Sequence, residues 1–337
     1  MNERIVPIVE SRLNKKVNET VHLRGGMNNQ LYRLRMEDHQ DLLAKIYYQD
    51  DRRRLDREYS ALDFFHRHSS TKTPVPFFRE GDEFAVYSFE ESVKRSPEDI
   101  TKEEVDRMVD FVCYMHGFSP SSIPDKFDNA VMPVFSFEQF LGGAKFRINK
   151  FLEYIKQENV HGDIKNFNDS YDIEGLVAYV ENKVKQMSGP DYSESLDTEK
   201  RRLSSADFGI HNMLFRPEGD ICFIDFEYFG WDDPARLISS FYYHDANSRM
   251  GQDKRQHFVK GYKTSSSLPP DVLKRIDTAM LLSSAEWIGT MLWGITPEKI
   301  KSREFSDPQF NMQQYIERQI SKLVGRISDL NENLHLR

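Results

Sequence analysis

Cysteine is scarce in this chain: 337 residues contain two, Cys113 and Cys222, far apart, in apolar surroundings and in no ligand-like spacing. A disulfide framework or a structural zinc site therefore has little support, and both thiols are expected to be buried and reduced. Positive charge is in deficit as well. Lys and Arg together number 46 against 54 Asp and Glu, a net charge of −8, so the chain lacks the basic field that dominates nucleic-acid binding. DNA and RNA are disfavoured as partners. No uninterrupted apolar run approaches the roughly 20 residues that a bilayer span requires, and the N-terminus lacks the basic, apolar and small-residue series of a signal peptide. A cytoplasmic protein with no membrane association is expected. Internal repeats and low-complexity tracts are missing too. What remains is 39% hydrophobic residues over a length sufficient for two compact lobes around a cleft.

Apolar residues at Ile5, Val6, Ile8, Val9 and Leu13 recur near the helical period and predict an N-terminal helix. Between Glu19 and Tyr48 the pattern changes to three antiparallel strands, around Val21–Leu23, Leu31–Leu34 and Leu42–Tyr47. The first two are separated by GGMNNQ, in which Gly25, Gly26, Asn28 and Asn29 tolerate the positive φ and close backbone approach that a phosphate-covering turn needs. An ordinary hairpin turn is the alternative. Lys45 stands inside the third strand, and a helix over Asp51–His68 places Glu58 thirteen residues further on. Taken singly, each reads as a solvated side chain. A second hairpin, Phe77-Phe78 and Glu83–Phe89 around Gly81-Asp82, ends where the chain turns acidic, so the lobe boundary is set after Glu90. Thr101 and Glu104 form a predicted capping box for a helix that ends at His116, for which a surface or cap role is expected. Further helices are predicted over Phe146–Ile155, Ile173–Met187, Pro234–Tyr243, Asp271–Leu292 and Pro308–Leu330, with Trp287 and Trp293 in the core or on the cleft wall.

Two acidic turns between Leu203 and Pro234 carry the chemistry. Asp207 is followed five residues later by Asn212; then come MLF, a PEGD turn, and the apolar run ICFI, directly followed by Asp225. That spacing matches a kinase-type catalytic loop, in which an Asp accepts the proton of the attacking hydroxyl, an Asn holds Mg²⁺, and an Asp after the next strand completes the metal site. Two other stretches spell the motifs better by letter: His161 to Asn168 reads HGDIKNFN, and Asp207-Phe208-Gly209 copies a metal-binding triplet. Neither has the required surroundings. HGDIKNFN leads towards a helix rather than a hairpin, and Asp207 follows LSSA, which reads as no buried strand, whereas Asp225 follows one.

With IDFEYFGWDDPARLIS, the chain resembles the aminoglycoside phosphotransferase and choline kinase superfamily over nearly its whole length. The resemblance implies an α+β, bilobal protein-kinase-like fold, with a small antiparallel-sheet lobe (1–90) that binds nucleotide and a larger, mainly helical lobe (91–337) that holds the catalytic and acceptor sites. It implies Asp207 as catalytic base, Asn212 and Asp225 as Mg²⁺ ligands, Lys45 as phosphate anchor and Glu58 as its partner. Ser88 to Glu90 would form the hinge, where backbone groups meet the base. Asp233 would brace the catalytic loop, and Glu227 would serve a second metal or a cationic substrate. Two departures stand out: Ser205-Ala206-Asp207 replaces the common His-Gly-Asp, and Arg236-Leu237 stands where Asp-Leu is frequent. The implied reaction is transfer of the ATP γ-phosphoryl group to a hydroxyl of a small molecule (aminoglycoside, amino alcohol or sugar-like), with GTP left open as donor. Ser205 motivates a different reading, a kinase-like binding module weak in catalysis. A protein kinase fits less well, because no Ala-Pro-Glu element follows Asp225.

Overall fold

A computed structural model describes residues 2–23, 29–306 and 310–335. Gly25, Gly26 and Asn28 of the predicted turn lie outside the described residues; Asn29 lies within them. The three predicted strands are β1 (Val17–Leu23), β2 (Gln30–Met36) and β3 (Asp41–Ile46), and the second hairpin is β4 (Pro76–Glu80) and β5 (Phe84–Ser88). They form one antiparallel sheet in the order β1-β2-β3-β5-β4. Side chains alternate across a strand, and this alternation decides where the lysine goes. Leu34, Met36, Leu42, Ala44, Phe84 and Val86 face α1 (Asn2–Leu13), which buries Ile5 and Val9 against them. Lys45, paired with Ala85, points to the opposite face, where Tyr47, Ala85 and Tyr87 pack with Leu55 and Leu62 of α2 (Arg54–Arg67).

Beyond Ser88 the chain is mainly helical. Thr101 forms the capping box with Glu104 that starts α3 (Lys102–His116), and α4 (Phe137–Ile155), α5 (Gly162–Ser170), α6 (Ile173–Ser188) and α7 (Pro234–Tyr243) follow. The rest comprises α8 (Gln252–Ser265), α9 (Pro270–Gly294), α10 (Pro297–Ser306) and α11 (Met312–His335). Helix α9 is the axis of this lobe. It buries Ile276, Leu282, Ile288 and Leu292, and at Gly289 a Cβ would lie 3.0 Å from the Ala144 carbonyl oxygen, so the missing side chain lets α4 close on it. Two short antiparallel pairs lie between the lobes' helices: β6 (Arg202–Ser204) with β9 (Gly230–Asp232), and β7 (Met213–Phe215) with β8 (Ile221–Phe223).

Several expectations need correction. Helix α4 begins nine residues before Phe146, capped by the Ser136 hydroxyl on Gln139 N–H; Gly142 and Gly143 mask the periodicity there. Helices α5, α8 and α10 went unpredicted, and α8 buries little beyond Phe258 and Tyr262, too few for an apolar stripe. His116 is buried, not superficial: its Nδ1 lies 2.6 Å from the Tyr262 hydroxyl, and burial pushes its pKa down to about 3. Of the two free thiols, Cys222 is buried and Cys113 half-buried. Leu203 and Ser204, read as no buried strand, are the two buried residues of β6. Among the described residues, no helix is long and apolar enough to cross a membrane.

Candidate active site

Each acidic turn is anchored by the phenylalanine that follows its aspartate. Phe208 and Phe226 both pack around Phe111 of α3, at 6.4 and 6.3 Å between ring centroids, and Phe223 of β8 stacks on Phe111 at 4.0 Å. Burying these rings forces the polar residue before each to the surface of the aromatic cluster. The turns are also tied to each other, because Ile224 N–H donates to the Asn212 carbonyl at 3.0 Å. Backbone geometry is unusual in both: Ala206 has φ 61° and Asp225 φ 66°, left-handed values that cost a non-glycine residue on the order of 1–3 kcal/mol. Such strain persists where the surroundings over-determine the chain, as at sites of function.

Lys45 joins the sheet to the second turn. Its Nζ donates to Glu58 Oε2 at 2.7 Å and to Asp225 Oδ1 at 2.9 Å, and the Tyr47 hydroxyl donates to Glu58 Oε2 at 2.8 Å. Burial alone would lower the Lys45 pKa; the charges of Glu58 and Asp225 outweigh it and hold it above its ordinary value. The lysine is therefore charged throughout the physiological range.

Asp207 sits in a different environment, half-buried between two imidazoles. His244 Nε2 lies 2.9 Å from Oδ1, and His211 Nε2 lies 3.5 Å from Oδ2. Burial would raise the Asp207 pKa, but hydrogen bonds from His211 and His244 prevail and hold the carboxyl well below the usual range. The same contact raises His211 against its desolvation. Asn212 Nδ2 donates to the Asp207 carbonyl at 3.1 Å, so the amide oxygen is the atom that could ligate a cation. Together the Asn212 amide oxygen and the Asp225 carboxylate form an all-oxygen donor set, which suits a hard cation such as Mg²⁺. Beside His211 opens a cavity of about 450 Å³, lined among others by Val93, Arg95, Ile100, Leu214 and Ala246. Its size is that of small-molecule sites.

A profile of the phosphotransferase enzyme family matches residues 19–266. The chain belongs to this family. No curated protein matches it. Among solved structures, the choline kinase of Cryptosporidium parvum Iowa II superposes with a TM-score of 0.64 at 12% identity, over 99% of this chain and 97% of that one. A spectinomycin phosphotransferase in complex with ADP and spectinomycin gives 0.62 at 14% identity, over 96% and 98%. The choline kinase LicA of Streptococcus pneumoniae gives 0.59 at 16% identity, over 97% and 99%. At such identities they establish the bilobal kinase-like fold.

Placed on that family fold, the other predicted residues fall as follows. Ser88 Oγ donates to Glu90 Oε1 at 2.7 Å, and Glu90 Oε2 accepts from Arg216 at 2.7 Å, so the hinge side chains latch the two lobes. Glu227 is buried with both oxygens engaged, one by Arg54 and the other by Asn29 Nδ2 at 2.8 Å; a second metal or a cationic acceptor would have to displace the guanidinium. Asp233 caps α7 through Ala235 N–H and pairs with Arg275 of α9, with no bond to the catalytic loop among the described residues. HGDIKNFN is the cap and body of α5, where His161 and Asp163 bond to Gln313 of α11. The Ser205 hydroxyl, at the position of the common His of His-Gly-Asp, is buried with no partner among the described residues. Sequence reading missed His211 and His244. The first lies inside the predicted catalytic loop, one residue before Asn212, where its position alone was a signal; the second is thirty-seven residues from Asp207 and had none.

Proposed function

We propose that this chain is a small-molecule kinase that transfers the γ-phosphoryl group of ATP to a hydroxyl, with 1–90 as the nucleotide lobe and 91–337 as the catalytic and acceptor lobe. The observation that carries this reading is Lys45, held at 2.7 Å from Glu58 and 2.9 Å from Asp225, which sets one cation of the sheet against the acidic turn after β8. Gly25, Gly26, Asn28 and Asn29 cover the triphosphate, Lys45 neutralises its charge, and Ser88 to Glu90 offer backbone groups to the base. Asn212 and Asp225 would hold Mg²⁺, which would supply charge neutralisation on the transferring phosphoryl group. Asp207 aligns the acceptor hydroxyl and accepts its proton as the new P–O bond forms and the bond to ADP breaks. Because its carboxyl is held below the usual range, it acts mainly by orientation, and takes the proton late. The acceptor enters through the cavity beside His211. Glu227, paired with Arg54, supports the Asn29 end of the phosphate turn.

ADP release measured over a panel of aminoglycosides, amino alcohols and sugars tests this reading, with GTP alongside ATP. A hydroxyl acceptor that raises ADP release at least tenfold in wild type and not in Asp207→Ala supports it; Mg²⁺-dependent nucleotide binding that survives without any transfer refutes it. The unpartnered Ser205 hydroxyl favours one second reading, a kinase-like binding module, for which no Mg²⁺-dependent ATP binding is expected in a nucleotide titration.

A further inference from the structure

His244 follows the last residue of α7 and caps the short helix Asp245–Met250, its Nδ1 accepting the Ala246 N–H at 3.1 Å. A neutral imidazole whose Nδ1 accepts a backbone N–H carries its proton on Nε2. That atom lies 2.9 Å from Asp207 Oδ1. The backbone therefore sets the tautomer, and the tautomer makes His244 a donor to the carboxylate. The ring is held from several sides. Trp287 packs on it at 4.5 Å, and at Gly209 a Cβ would lie 2.8 Å from His244 Cε1 and 2.6 Å from His211 Nδ1, so glycine lets both imidazoles close over the loop. Asn247, three residues on and fully buried, makes a second tie, its Oδ1 accepting Ile210 N–H at 2.9 Å while its Nδ2 donates to the Phe241 carbonyl at 2.8 Å.

We infer that His244 is a positioning residue: its Nε2–H holds Asp207 Oδ1 so that Oδ2, which keeps a second lone pair beside its 3.5 Å contact with His211 Nε2, is presented to the acceptor hydroxyl, and the helix Asp245–Met250 is the platform that keeps it there. The contact rests on geometry; its consequence for turnover rests on the phosphotransfer reading. A rival use of the same groups is a transition-metal site, since Asp207, His211 and His244 bring three ligand atoms within 4.8 Å of one another. Metal at His244 Nε2 would force the ring proton onto Nδ1, donor against donor with the Ala246 N–H. The cap thus argues for the hydrogen bond.

Two substitutions separate the halves of the imidazole. His244→Asn keeps an acceptor near Nδ1 for the cap and removes the Nε2 donor; His244→Gln places an amide N–H near Nε2. With a panel acceptor, His244→Asn is expected to lower kcat about 10–100-fold, the scale of a misplaced reacting group, with KM for ATP unchanged and Tm near wild type, and His244→Gln to recover part of the loss. Equal kcat in wild type and His244→Asn, or a loss that tracks Tm in both variants, overturns the inference. Asp207→Asn is the control for the reading beneath it: full activity there refutes the role of Asp207 and not the contact. Imidazole ¹⁵N shifts read the contact without any turnover. An Nε2–H tautomer for His244 that is disturbed in Asp207→Ala is expected, whereas an Nδ1–H tautomer, or stoichiometric Zn²⁺ binding lost in His244→Asn, overturns it.

Discussion

Two carboxylates of the site, Asp225 and Asp207, are held in opposite ways. Asp225 and Asp207 are equally exposed, 35% and 34%, but Asp225 meets Lys45, which is itself buried in a pair with Glu58 at 9% and 5% exposure. Asp207 meets two imidazoles, one of them, His211, 46% exposed. A buried ion pair is costly to break, because removing one partner leaves the other charged and out of water. A half-open hydrogen-bonded group adds little stability and keeps a lone pair accessible. The Lys45–Glu58 pair is built to stay put and Asp207 to be reached, as the proposed phosphate anchor and aligned base would require.

The largest effect expected to sharpen that contrast is on turnover. Asp207→Ala should lower kcat about 10²–10⁴-fold with the chain still folded and only a small loss of thermal stability, measured by ADP release and melting, while His161→Ala and Asp163→Ala retain activity. Equal activity in Asp207→Ala breaks the assignment. On the dry side the effect falls on stability: Glu58→Ala should cost about 3 kcal/mol in urea unfolding, against less than about 1 kcal/mol for His211→Ala. Similar losses at the two positions would erase the distinction. A smaller effect is electrostatic. His211 binds its proton more tightly folded than unfolded, so its contribution is complete below its ordinary value of 6.5 and is lost as pH rises through the raised value. Asp207 has the opposite sign: its contribution is present above its ordinary value of 3.8 and is lost as pH falls through the lowered one. In Asp207→Asn, NMR titration should therefore show the His211 pKa falling; an unchanged value would mean that the carboxylate is not its partner. Smallest is Ser205→Ala, which removes a buried hydroxyl with no partner among the described residues, and should leave stability equal or raised by up to about 1 kcal/mol.

Much of the site was legible because its parts are local patterns. A buried strand ending in an aspartate, a hairpin before it and an Asp-x4-Asn loop before that are set by short-range spacing, and so is the order of glycine turn, strand lysine and helix glutamate. Side-chain alternation in β3 and helical period in α2 then bring Lys45 and Glu58 face to face. Glu227 was read differently, because nothing near it in the chain announces Arg54, and Asp233 likewise meets Arg275 forty-two residues away. His116 read as superficial because Tyr262 comes to it from a helix that lacked an apolar stripe.

From the chain alone follow the order of strands and helices and the spacing of the acidic turns, which depend on propensity and on spacing within a few turns or strands, while the kinase-like architecture and the family were implied by the resemblance of one stretch, IDFEYFGWDDPARLIS. The imidazole on Asp207, the pairing of Glu227 and the idle Ser205 hydroxyl emerge only with the packed molecule. They depend on the relative placement of α7, the helix Asp245–Met250 and the catalytic loop, and that placement is set by the burial of Phe208, Phe241 and Phe258 together rather than by any residue's neighbours in sequence.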